Sequence, residues 1–434
     1  MDRILIGAGC ILLLIISWIV ITCSKSPVER QLDLMRQAAD LTDEGIYIRA
    51  VPLLEKAAGY NTIYTLTAES ELKKVYLALI DQSGFRGKYT GLLEKQMNRR
   101  DTHPDFFAEA ANFYLSISRV SDALAALRTG IERTGSIELR ELYESNRYAV
   151  ETNRTPYEYV AAIHGTTAQV QIDGLWGLAG ADGTLMIPCE YEKISTFSED
   201  RAIVKKDGEI YAVDINNNRV AVLHEDADDF GNYANDRIPL LINGNWLRAT
   251  GELAPGTVIF ESIGTYSGGY AAAKTGGKWG VIDLTSDWLI HAEFDEIIRD
   301  ELGRCYAQRA VFARKDDTVY LFVGGRQTGD TYEDARPFSA EGYAAVKKNG
   351  RWGFIDINGA KMIDYIFDDA LSFGQHLAAV KTGELWGYVS MLGHVVIEPV
   401  FLEAKSFSNG SAPVLTQRGW QFITLLEYKK GAIL

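Results

Sequence analysis

Two periodicities divide the chain. From Ser26 to about Arg154, apolar residues recur at intervals of three and four, as a helix burying one face requires. Val51, Leu54 and Ala58 share a stripe within residues 49–60, and the theme returns in residues 88–100 and 121–135. Between them lie helical patterns at 71–84 and 105–119, each ended by glycine or a polar turn. Leu53-Leu54-Glu55-Lys56 reappears 39 residues later as Leu92-Leu93-Glu94-Lys95, and Leu93 aligns with Leu127 after a further 34. About three antiparallel helix pairs are expected here.

After Thr155 the period becomes two, the signature of strands. The clearest unit is residues 341–365. Tyr343 to Lys348 alternates, Asn349-Gly350 is a strong hairpin signal, and Arg351 to Ile357 forms the returning strand. Asn358-Gly359 makes a second turn and Lys361 to Tyr365 a third strand, so one unit reads as a three-stranded meander around Trp352. Aligning on that residue recovers eight units, anchored at Trp176, Tyr211, Trp246, Trp279, Tyr320, Trp352, Trp386 and Trp420. Their spacings are 35, 35, 33, 41, 32, 34 and 34 residues, and four anchors are followed directly by glycine.

A second marker supports the register. Upstream of six anchors, one aromatic is followed six residues later by another: Tyr191/Phe197, Phe260/Tyr266, Tyr332/Phe338, Phe367/Phe373 and Phe401/Phe407, with His224/Phe230 fitting if histidine takes the aromatic place. The unit around Phe294 breaks the rule, with Asp300 in the second place, and it also carries the 41-residue spacing.

These residues resemble the WG-repeat family, bacterial repeats of about 35 residues. Residues 334–356, with Pro-Phe-Ser-Ala-Glu-Gly and Gly-Arg-Trp-Gly-Phe-Ile-Asp, match its usual run closely, as do residues 368–389. The resemblance covers about residues 156–434 and implies a repeat architecture in an envelope or surface setting; it brings no catalytic residue. The helical half is similar, more loosely, to tetratricopeptide arrays, best between His103 and Gly135. Such arrays hold a peptide or helix in a concave groove; a plain spacer explains the same pattern, and no basic or aromatic cluster marks a groove.

A meander of about 34 residues cannot bury both its faces alone, so neighbouring units must stack. Tryptophan supplies apolar area, and the glycine beside it lets a backbone or ring come close. Closure into a propeller-like ring is favoured, because it removes exposed strand edges; an open β-solenoid is the alternative.

At the N-terminus, Ile4 to Thr22 is nineteen residues without a charge, long enough to cross a bilayer. The expectation is a single-pass membrane anchor with the body outside the cytoplasm. Cys23 offers a lipidated alternative, although Thr22 replaces the small residue a lipobox wants before it. The expected organisation is thus a transmembrane anchor at 1–25, a tetratricopeptide-like α-helical region at 26–154 and an all-β repeat domain at 155–434.

Charge narrows the partners. Of the formal net charge of −14, residues 155–434 carry −13, with 25 basic and 38 acidic residues. That would repel phosphate backbones and excludes nucleic acid as the expected partner. Acids follow the first aromatic in most units, and Glu192, Asp226, Glu296, Asp334, Asp369 and Glu403 are the candidate interaction edge. A solvated rim that keeps the array soluble explains them equally.

Catalytic, metal and cofactor signals are absent. The six histidines are scattered, with no His-Glu-x-x-His and no Cys/His cluster. Residues 214–225 place Asp214, Asn216, Asn218 and Glu225 near EF-hand positions, but Arg219 stands where the loop needs glycine. Residues 268–280 are glycine-rich without phosphate-loop spacing. Cys189 and Cys305 are expected as two half-buried thiols; they could pair, but nothing in their spacing requires it. The expected function is non-catalytic: a membrane-tethered scaffold holding a protein or an envelope polymer. An envelope-glycan hydrolase using two hidden carboxylates and a cytoplasm-facing assembly adaptor are the alternatives.

Overall fold

The computed structural model describes residues 25–222, 226–250 and 255–427. The chain divides into two compact units, Met1–Asn146 and Arg147–Leu434.

Seven helices occupy the described part of the first unit: α1 (Pro27–Asp43), α2 (Tyr47–Ala58), α3 (Thr65–Ala78), α4 (Phe85–Met97), α5 (Pro104–Ser116), α6 (Val120–Thr134) and α7 (Ile137–Asn146). α1 starts where Ser26 accepts from the Glu29 N–H while the Glu29 carboxylate takes the Ser26 N–H, a reciprocal cap, with Pro27 at the first turn. The predicted stripes form one core of Leu54, Leu72, Leu93, Phe107, Ala111 and Leu127. Gly130 is needed in it: a Cβ there would lie 2.6 Å from Leu139 Cδ1 and 2.7 Å from Phe107 Cγ. Glu69, fully buried, is held by Arg99 at 2.7 Å and by the Gln96 amide at 3.0 Å.

The expected transmembrane helix needs correction. No helix among the described residues is long and apolar enough to cross a membrane. Ile4–Thr22 and Cys23, on which the anchor and lipidation readings rested, lie outside the described residues. The single-pass anchored placement is therefore withdrawn, because nonpolar length in sequence is only half of a membrane span; the described helices bury their apolar faces against each other.

The second unit is an eight-bladed β-propeller of four-stranded antiparallel blades. This corrects the three-stranded unit read from sequence. In the sixth blade the expected strands are Tyr343–Lys348, Arg351–Asp356 and Lys361–Phe367, and Asp334–Ala335 adds a fourth, innermost one. Two residues are too short to alternate, so period-two patterning cannot reveal such a strand. The other inner strands are equally short, apart from Ala227–Phe230 in the third blade.

Closure is by exchange of a strand. Val150–Arg154 pairs antiparallel with Gly419–Leu425, from Val150 opposite Leu425 to Arg154 opposite Gln421. It takes the outer place in the last blade that each other blade fills from its own repeat. Residues 147–154 thus belong to the propeller, although the sequence pattern assigns them to the helices. Ring closure also excludes the open solenoid.

The Trp-Gly pair has a local cause. Trp352 lies opposite Phe367 across the third and fourth strands, as Trp279 does with Phe294, Trp386 with Phe401 and Trp176 with Tyr191. The two aromatic markers of the repeat are therefore cross-strand partners. Immediately after each such pair the register shifts, and the outer strand presses on the residue following tryptophan. A Cβ at Gly353 would sit 2.7 Å from the Ile363 carbonyl oxygen, and those at Gly177, Gly280 and Gly387 would meet the equivalent oxygens at 2.5, 2.4 and 2.5 Å. The backbone that comes close is that of the same blade.

Candidate functional site

The inner strands line a central channel, and all eight share one backbone bond to the second strand. In the sixth blade the Glu333 N–H donates to the Lys347 carbonyl, the Arg336 N–H to Ala345, and Phe338 lies buried near the far end. Placing every blade on the Arg336-type bond (Ala161, Ser195, Gly231, Gly264, Ile298, Leu371 and Lys405 in the others) aligns the channel wall residue by residue. It also corrects one pair of the sequence alignment. In the third blade Phe230 occupies the inner strand and Tyr233, fully buried, takes the second aromatic place; His224 lies outside the described residues.

The fifth blade departs from the pattern. Ile298 makes the bond, but the buried aromatic is Tyr306, separated from it by an extra loop. The insertion is residues 300–305, six residues, which reduces the 41-residue spacing to the 35 of the first units. Its tip closes on Asp300. That carboxylate accepts from the N–H groups of Leu302 at 3.0 Å and Arg304 at 2.8 Å, and the Arg304 Nε donates to it at 2.7 Å. The same aspartate-headed turn joins the third and fourth strands elsewhere, as at Asp356 and Asp214.

This loop crosses the channel. The Thr265 hydroxyl and the Asn232 amide, from the fourth and third blades, both donate to the Leu302 carbonyl, and the Thr265 N–H donates to Gly303. Arg304 Nη1 lies 3.2 Å from His164 Nδ1 in the first blade. The Glu301 carboxylate takes the N–H of Ala162 in the first blade and, at 2.6 Å, the ammonium of Lys405 in the eighth. Those are the blades that meet where the ring closes. Glu301 thus spans the seam from inside.

The loop leaves two chambers. The larger, about 680 Å³, is walled by six blades: Ile163, Tyr306, Pro337, Phe338, Leu371, Phe373 and Phe407 contribute apolar surface, and Arg299, Arg304, Arg336, Lys405, Asp300 and Glu301 the charge. The smaller, about 310 Å³, lies against the first five blades and shares Arg299 and Glu301. Burial works against the Lys405 charge, but Glu301 and Glu403 outweigh it and hold the ammonium protonated well above its ordinary range. Burial and the neighbouring Arg304 push His164 down to about 4, so it is neutral at physiological pH. Burial pushes the Cys305 thiol, within the loop, up to about 12.

The anchors all sit on the third strands, away from the channel axis, one per blade. Trp352 and Trp420 are buried, while Trp176, Tyr211, Trp246, Trp279, Tyr320 and Trp386 are half-buried. Cations cover several: Arg336 lies 4.4 Å over Trp352 and Arg299 4.1 Å over Trp279.

The candidate acidic edge divides into two positions. Glu192 aligns with acids at the entry to the inner strand, and most of these bind the hairpin of their own blade. Glu158, Glu261, Glu333 and Asp368 accept the N–H of Gly174, Gly277, Gly350 and Gly383, and Asp295 accepts that of Asp316. Glu296, Asp334, Asp369 and Glu403 stand one residue on and form ion pairs around the channel. Arg314 reaches Glu296 at 3.1 Å and Asp334 at 2.8 Å, Arg336 reaches Asp369 at 3.2 Å, and Lys405 reaches Glu403 at 2.9 Å. Asp226 is exposed and precedes this register. Glu296, Asp334, Asp369 and Glu403 are thus tied into the propeller's own ion pairs, and the six acids do not share one register.

Among the described residues no group of three or more His, Cys, Asp or Glu is placed to hold a metal ion. The EF-hand-like Asp214 heads an ordinary turn, and Glu225 lies outside the described residues.

The family profile described as WG containing repeat matches residues 176–209, 258–279, 279–300, 331–352, 352–386 and 386–419. The chain carries WG repeats between residues 176 and 419. Its WG propeller matches no curated protein by sequence. Solved structures similar to it include Kluyveromyces lactis Hsv2p, at 10% identity over 53% of this chain and 91% of that one, with a TM-score of 0.37. The Cps50 (Swd1) β-propeller domain of Myceliophteria thermophila is 11% identical over 55% and 99%, with a TM-score of 0.35. The fold of the WG propeller rests on its own strand pairing.

Proposed function

We propose that this WG-repeat protein is a non-catalytic scaffold that holds a protein partner at the mouth of the propeller channel. The larger chamber carries the reading. At about 680 Å³ it is of the size that takes a ligand side chain cluster, and it combines an aromatic floor with a few convergent polar groups. Its walls come from six blades of a closed ring, so little ordering is needed on binding. Four of the acids first suspected of recognition, Glu296, Asp334, Asp369 and Glu403, are engaged by the protein's own bases, which favours the channel mouth over the acidic edge.

Photo-cross-linking tests this in cells producing the full-length chain. A benzophenone amino acid at Gln308 or Ala340, on the chamber wall, is expected to give discrete protein adducts, whereas one at the exposed outer-strand residue Ile366 is not. Adducts from Ile366 alone, or from none of the three, overturn the proposal.

A further inference from the structure

We infer that the larger chamber is a site for an acidic peptide segment, and that Glu301 occupies it as the chain's own stand-in for that ligand. The inference rests on the channel mouth being the partner site. Four observations converge on it.

The chamber is lined by four cations and two anions, within a region of the chain whose net charge is −13. A local excess of positive charge in an acidic propeller has to be built, since the surrounding residues supply the opposite sign. A carboxylate is already bound there. Glu301 takes the Ala162 N–H and the Lys405 ammonium, a backbone donor and a buried cation converging on one anion, although its side chain is 32% exposed to the chamber. It reaches this place only because of the six-residue insertion, which the other seven repeats lack.

Arg299 is the third observation. It borders both chambers, lies 4.1 Å over the Trp279 ring and forms no ion pair among the described residues. Arg304 and Arg336 are already committed to Asp300 and to Asp369. A guanidinium fixed on an aromatic face with its edge donors unclaimed is suited to a second carboxylate. Finally, among the described residues the buried Ser339 hydroxyl, on a residue of the chamber lining, has no hydrogen-bond partner.

Two carboxylate positions, at Lys405 with Ala162 and at Arg299, open on the same chamber and suit two acidic side chains of one peptide. To bind, the peptide must displace Glu301, which weakens its apparent affinity by the fraction of time Glu301 holds the site. The displacement requires only that one partly exposed side chain swing aside. At physiological ionic strength the rim acids are screened beyond about 8 Å, so the chamber charges dominate close contact.

Fluorescein-labelled hexaglutamate, followed by fluorescence anisotropy against the full-length chain at physiological salt, is the test. Glu301→Gln removes the internal competitor and is expected to bind about tenfold tighter than wild type. Arg299→Gln is expected to bind about tenfold more weakly. Gln308→Glu, an exposed change on the chamber wall, should weaken binding without touching the seam, and keeps the test valid if Glu301→Gln fails to fold. Hexaglutamine should not bind, and free glutamate should not compete.

No binding to wild type or to Glu301→Gln overturns the inference, as does binding that ignores both Arg299→Gln and Gln308→Glu. Equal competition by free glutamate overturns the peptide in favour of a small carboxylate. If Gln308 cross-links a protein while hexaglutamate binds no form, the chemistry fails and the channel-mouth reading stands. If hexaglutamate behaves as expected while cross-links come only from Ile366, the acidic site stands without the partner.

Discussion

Replacing Gly353 by alanine tests why tryptophan is followed by glycine. The added methyl would lie 2.7 Å from the Ile363 carbonyl oxygen, 2.7 Å from Tyr365 Cδ1 and 2.8 Å from the Asp364 carbonyl oxygen. Two of these neighbours are backbone, and both belong to a strand already bent by the register shift. Relief therefore means moving the outer strand. Overpacking of this kind costs about 1–3 kcal/mol, against which removing glycine's backbone freedom returns about 0.5–1 kcal/mol. The net expectation is a loss of about 1–2 kcal/mol, or a fall of about 2–6 °C in the propeller's melting temperature. Tryptophan fluorescence isolates this event, because the helical residues 27–146 contain no tryptophan and the propeller holds seven of the eight. Gly91→Ala is the counter-test. Gly91 lies inside α4 with no heavy atom within 4 Å of its added Cβ, so the helical unit should gain about 0.5–1 kcal/mol, read by far-UV circular dichroism. A Gly353→Ala propeller as stable as wild type would refute the close approach as the reason for glycine.

Trp352, only 3% exposed in the core shared by the sixth and seventh blades, should cost about 3–5 kcal/mol as Trp352→Ala in urea unfolding; a smaller loss for half-buried Trp386→Ala would rank the anchors by burial. His164 takes up its proton near pH 4 when folded and near 6.5 when unfolded, so the unfolded chain binds more protons between these values. Propeller stability should then fall as pH drops from about 6.5 towards 4, by up to about 3 kcal/mol, and His164→Asn should remove that part of the profile. Cys305, fully buried in the channel loop with its thiol pKa near 12, should resist alkylation in the native state while half-buried Cys189 reacts slowly; equal labelling of both would mean that the loop opens readily.

The repeat was legible because its markers are physically coupled. Trp352 and Phe367 face each other across two strands, so a substitution in one is felt by the other, and their offset recurs along the sequence. The inner strand was not legible, since two residues such as Asp334–Ala335 carry no period. Nor was the latch: Val150–Arg154 finds its partner some 270 residues away, and nothing local in either strand names the other. The acids were visible as a series but not as two sets, because the step from Glu333 to Asp334 changes a hairpin contact into an inter-blade ion pair. The channel loop left one trace, the long spacing with Asp300 in an aromatic place, and only the position of Tyr306 explained it.

By itself the sequence determined a helical half, an eightfold β-repeat and the residues on which each unit is built, because hydrophobic period and turn chemistry act over a few residues. Tertiary structure alone decided that the repeats close into a ring, that a strand from outside the repeats closes it, and that Glu301 meets Ala162 and Lys405 in the channel. Those contacts join residues more than a hundred positions apart. They exist only once eight blades have packed around one axis.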